Sequence, residues 1–160
     1  MYNVLDVCRY IINYCNTSQY GISNLKLQKI LYFVQAYFLI TDTQLPCFNE
    51  RIEAWDFGPV VPTAYHEFKQ YGASNIPSIT SYIEYNRNNI WDATRKNFTE
   101  NIIGLEDREK IRTIVDRFAN YTATDLVNLT HNQAPWSRVY MPGRNNEISN
   151  DSIRGYFNAR

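Results

Sequence analysis

Residues 22–40, ISNLKLQKILYFVQAYFLI, decide how this chain folds. Ser23 has the side chain of a helix N-cap, whose oxygen can accept from a backbone N–H of the first turn. Ile22 before it and Leu27 four residues after it have the spacing of a hydrophobic staple. From there Leu27, Ile30, Leu31, Val34 and Phe38 follow one helical stripe, with Lys26, Gln28 and Lys29 off it. Asp42 and Pro46 mark the exit. The stretch reads as a long core helix.

Working outward, Val4, Val7, Cys8, Ile11, Ile12 and Cys15 recur at helical spacing across residues 3–16, and Gly21 ends that pattern. On the other side, residues 51–54 alternate as a short strand does. Gly58-Pro59 reads as a turn, and Pro62 suits the first turn of a helix that carries Val61, Tyr65 and Phe68 and stops at Gly72. Residues 79–85 read as a strand or as an irregular segment, and residues 90–103 as a helix. Ile111, Ile114, Val115 and Phe118 then mark a helix with Glu106 and Lys110 as an i,i+4 pair. Thr122 and Asp125 have capping-box spacing, with Tyr121 and Leu126 as a staple, for a helix reaching His131. Pro135 opens a further short turn. Ser149, with Ile148 and Ile153, starts a last helix ending near Phe157. The sum predicts a mainly α fold: one compact helical domain over residues 1–160, with six or seven helices and one or two short β-strands.

Composition agrees with a globular chain. It has 160 residues, 44% apolar, with an aromatic fraction of 15% that argues against disorder. Charge is balanced at 16 basic against 16 acidic side chains, so no long-range field steers DNA or an anionic membrane toward it. The longest apolar run, residues 30–40, contains Gln35 and falls well short of the roughly 20 residues of a membrane span. The N-terminal residues lack the basic stretch of a secretion signal. Three cysteines form no pairing framework. Cys8 and Cys15, about 10.5 Å apart on one helix at roughly 1.5 Å per residue, lie beyond the roughly 7 Å a disulfide allows. A cytoplasmic protein is expected.

Chemistry-bearing motifs are few. His66, His131 and the cysteines show no zinc-ligand spacing, and His66 and Glu67 point apart on a helix. Cys8 and Cys15 sit on an apolar stripe, while Cys47, in a loop, could be exposed and could pair with His131. No glycine-rich phosphate loop occurs. Glu106, Asp107 and Glu109 fall where acids complement a helix N-terminus. Asn24, Lys26, Gln28 and Lys29 could read DNA at the start of a recognition helix, but the apolar residues that follow suit a core helix better. His131 is read as a helix-end histidine donating to a nearby carbonyl. Tyr32, Trp55 and Tyr65 are aromatics of the kind that anchor protein interfaces, or that pack in a core with the polar tip satisfied.

Four blocks then resemble a known family. Residues 25–33, LKLQKILYF, look like a signature of the Panacea domain, the SocA-like, phage-associated GepA-like antitoxin family. Residues 52–62, IEAWDFGPVVP, followed by Tyr65, resemble its second block. Leu129-Thr130-His131 with Pro135-Trp136 resembles the third, and Ile148 to Phe157 the closing helix. Residues 73–104 match nothing recognised.

The resemblance implies an antitoxin that binds a cognate protein toxin encoded nearby. One member of the family delivers its toxin to a protease, so a protease complex is a second partner class. No catalytic residues are carried over, and no cofactor or metal is expected. The motif residues Leu27, Gln28, Lys29, Tyr32, Trp55, Gly58, Pro59, Val60, Tyr65, Thr130, His131, Pro135 and Trp136 are structural or partner-binding. The alternatives are a DNA-binding autoregulator and an enzyme acting on the toxin or its target through His131 and a carboxylate such as Asp56.

Overall fold

A computed structural model describes residues 1–41 and 43–160. Asp42, read as a mark of the second helix's exit, lies outside the described residues.

Helix α1 spans Val4–Thr17, and the Asn3 side chain caps it by accepting from the Leu5 N–H at 2.8 Å. Helix α2 spans Asn24–Ile40, and the Ser23 hydroxyl oxygen accepts from the Lys26 N–H. Ile22 and Leu27 are both buried, as the staple requires. Thirteen of the seventeen α2 residues are buried, so the helix is central and not amphipathic. Burying each leucine or isoleucine there stabilises the fold by roughly 1.5–3 kcal/mol.

Strands β1, Ile52–Trp55, and β2, Gly58–Val60, pair antiparallel with Ala54 opposite Pro59. Helix α3, Pro62–Phe68, follows at once and continues as a 3-10 turn over Lys69–Tyr71. Strands β3, Ser81–Asn86, and β4, Asn89–Asn97, form a second, two-stranded antiparallel sheet. A 3-10 turn, Glu100–Ile102, leads to α4, Leu105–Arg117, then α5, Ala123–His131, and the short α6, Ala134–Ser137. Strand β5, Asn146–Ile148, returns to β1, giving the order β2-β1-β5, and α7, Asn150–Asn158, closes the described chain. Around α2 pack α1, α3, α4, α5, α7 and β2. Among the described residues no helix is long and apolar enough to cross a membrane.

The expectation of a mainly α, compact helical domain with one or two short strands is overturned. Helix accounts for 50% of the chain and strand for 18%, in two antiparallel sheets of three and two strands. Three local readings account for the difference. Residues 90–103 are not a helix: most of them continue β4 and the rest lead into a 3-10 turn. Their apolar residues Ile90 and Trp91 are exposed, so their spacing carried no helical period. Gly58-Pro59 is not the turn. The turn lies at residues 56–57, and Gly58 and Pro59 are already strand. Residues 146–148, read only as the approach to the last helix, pair with β1.

Candidate functional site

Ten of the thirteen motif residues are buried, and Trp55, Tyr65 and His131 are half-buried. They converge where α2, the β1–β2 hairpin and the α5–α6 corner meet. Gln28 and Lys29, placed off the apolar stripe by sequence, are wholly buried. Both are used on the free edge of β2. The Lys29 Nζ donates to the Pro59 carbonyl at 2.9 Å. The Gln28 Oε1 accepts from the Val61 N–H at 3.0 Å, while its Nε2 donates to Asn24 Oδ1 at 2.9 Å. Asn24 in turn donates to the Tyr65 carbonyl. Proline supplies no N–H at position 59, so side chains of a helix complete an edge that would otherwise offer open backbone groups to another strand. Burial alone pushes the Lys29 ammonium down to about 7.

The approach of α2 to β2 explains Gly58. Its φ is +98°, and a Cβ there would lie 2.7 Å from the Thr130 Oγ1 and 2.9 Å from the Lys29 Cε. Only glycine fits both the backbone conformation and the space. The Thr130 hydroxyl bonds back to the Leu126 and Val127 carbonyls of its own helix, which lets α5 lie flush against the strand.

The third block joins in the same way. The Tyr32 hydroxyl donates to the Gln133 Oε1 at 3.0 Å, and burial pushes its ionisation up. The Trp136 Nε1 donates to the Trp55 carbonyl at 2.9 Å. Its ring is stacked between His131, at 4.0 Å, and Tyr140, at 4.4 Å, and Tyr140 donates to Asp56. The Trp55 Nε1 donates to the buried Glu53, which also pairs with Arg51. The Tyr32–Gln133 and Trp136–Trp55 bonds tie one motif block to another, Tyr140, just past the third block, is tied to the hairpin turn at Asp56, and the Glu53 contacts stay within the second block and Arg51 just before it. Gln133 and Tyr140 were not singled out by sequence. Gln133 sits inside the third block, between His131 and Pro135, and a polar residue at that place was the available signal.

His131 was expected to donate to a nearby carbonyl, and the Asp56 backbone is the hydrogen-bond partner beside its ring, while its Nε2 is buried without one. Burial lowers its basicity, the Asp56 backbone works the other way, and Lys29 lowers it further. Cys47 is not exposed but fully buried beside Gln35, whose Oε1 accepts from its N–H. No hydrogen bond links it to His131, so the two are not assembled as a nucleophile and base. Burial pushes all three thiols up, Cys15 to about 12. Among the described residues no group of three or more His, Cys, Asp and Glu side chains is placed to hold a metal. Lys110 pairs with Asp107 rather than with Glu106.

Above this frame lies a groove of about 570 Å³. Its lining includes Trp55, Val60, Tyr65 and Phe57, the last with 66% of its surface exposed, together with the charged Asp56, Lys69 and Arg144. The arrangement is a hydrogen-bonded polar frame beneath a partly apolar surface that carries both signs of charge.

The family profile described as "Antitoxin SocA-like, Panacea domain" matches residues 27–137, and the chain belongs to that family. It is 49% identical over 55 residues to the protein named Antitoxin SocA of Caulobacter vibrioides (strain NA1000 / CB15N). That alignment covers 34% of this chain and 29% of the relative's length. No solved structure matches the chain.

Proposed function

We propose that this chain is the antitoxin of a toxin–antitoxin pair and neutralises a cognate protein toxin by direct contact. Family membership supports the antitoxin part. The observation that carries the contact part is how the motif side chains are used. Lys29, Gln28, Tyr32 and Trp136 direct their polar atoms at backbone or at the buried side chains of Asn24 and Gln133, building a scaffold, while Phe57 and the half-buried Trp55 and Tyr65 line a groove. A protein interface of ordinary size covers roughly 800 Å² per partner, with its energy centred on a few aromatic or arginine anchors.

Co-expression with the protein encoded by the neighbouring gene tests this reading. Rescue of growth together with co-purification is expected. The variant His131→Gln is expected to rescue as well as wild type. A pair that neither rescues nor co-purifies sinks the proposal, and rescue lost by His131→Gln in an intact complex would favour an enzyme.

A further inference from the structure

The motif frame does not involve the β3–β4 hairpin, which extends from the body as an arm. Every residue of β4 is exposed, and β3 is half-buried only at Ser81 and Tyr82. The attachment is local. The Arg9 guanidinium lies 3.4 Å over the Tyr82 ring, and Asn13 holds Ile79 by two hydrogen bonds of 2.8 and 2.7 Å. A two-stranded hairpin is at best marginally stable alone in water, yet this one carries Ile83, Tyr85, Ile90 and Trp91 open to solvent, with Trp91 89% exposed. Tyrosine and tryptophan are the residues most enriched at binding hot spots.

The charges are arranged unevenly. Both acids of the arm are engaged within it: Glu84 pairs with Lys96 at 2.8 Å, and Asp92 accepts from Asn86. Arg87 and Arg95 have no ion partner among the described residues, and Arg95 donates only to the Ser81 hydroxyl. In the ladder Ile83 stands opposite Arg95 and Tyr85 opposite Ala93, so one face joins apolar side chains to a guanidinium that has no ion partner among the described residues. We infer that the arm is a docking element for the toxin, its aromatics entering an apolar socket that the partner surrounds with carboxylates. This inference rests on the antitoxin reading and adds to it where the contact lies and what chemistry the partner presents.

The probe is the protein encoded by the neighbouring gene, titrated against wild type and three variants at two salt concentrations. Tyr85→Ser/Trp91→Ser removes the aromatics, and Arg87→Glu/Arg95→Glu reverses the two cations. Phe57→Ser tests the groove. All the altered side chains are largely exposed, so the thermal midpoints should stay near wild type. The expected result is at least about tenfold weaker binding by the aromatic-free arm. Charge reversal is expected to slow association and to cancel its salt sensitivity. Wild-type affinity in both arm variants overturns the proposal, and if Phe57→Ser alone weakens the complex, the contact is at the groove and the antitoxin reading stands. An arm variant that turns a dimer of the free chain into a monomer without weakening the complex also overturns it, because the arm then covers a second copy. Failure of wild type to bind defeats the antitoxin reading, and the arm falls with it.

Discussion

Lys29 and Pro59 meet inside the protein, the lysine ammonium on the Pro59 carbonyl of the edge strand β2, at 2.9 Å. The pairing joins the first motif block to the second, and with Gln28 on Val61 it closes the sheet edge. The lysine is there at an electrostatic cost, because burial opposes its charge.

That cost has a pH signature. The folded-state pKa of Lys29 is about 7, below the ordinary 10.5. The penalty is complete below about pH 7 and fades as pH rises toward the unfolded value, where both states are neutral. Relative to Lys29→Met, wild type should therefore gain roughly 2 kcal/mol between about pH 7 and about pH 9. Urea unfolding of the two proteins across that range, taken as a difference, cancels the tyrosines and cysteines they share. A flat difference would show that Lys29 is not held neutral.

Gly58→Ala should be severe. The φ of +98° and the approach of Thr130 and Lys29 leave no room for a methyl group, and a loss of about 3 kcal/mol is expected. The denaturation midpoint reads it directly. A near-neutral substitution would mean that β2 and α5 do not lie as closely as described.

Tyr32→Phe removes the donor to the Gln133 Oε1 and leaves a buried acceptor unpaired. The expected loss is about 1–2 kcal/mol. Combining it with Gln133→Leu should lose less than the sum of the single changes. Strict additivity would say that the two side chains do not interact.

Native thiols should be unreactive. Cys8, Cys15 and Cys47 are all buried, and burial pushes each above the ordinary thiol range. Labelling with a thiol reagent at mildly alkaline pH should proceed only after denaturant is added. Rapid native labelling, located by mass spectrometry, would show which cysteine is open.

These sites also show how much the chain declares. Helix starts were legible because caps are local: Ser23, Thr122 and Ser149 all accept from the predicted first-turn N–H. The centrality of α2 was only half legible. Its apolar stripe was clear, but Gln28 and Lys29 looked like solvent-facing positions because their partners, Val61 and Pro59, lie thirty-odd residues away. The motif blocks were visible as strings, and their convergence became visible only in three dimensions. The arm was least legible. Ile90 and Trp91 point into solvent, so burial imposes no period on them, and a helix was expected where a strand runs. The asparagine-rich turn was the missed signal: Asn86 and Asn89 each accept from a backbone N–H two residues on, a local geometry that favours reversal.

The most direct measurement is a titration of the neighbouring gene's product with this purified chain, following binding heat and the product's activity together. Inhibition by occupancy predicts that activity falls in proportion to the fraction bound and reaches its floor at saturation. Loss of activity at far below equimolar chain, continuing with time, would contradict that account and point to a turnover event.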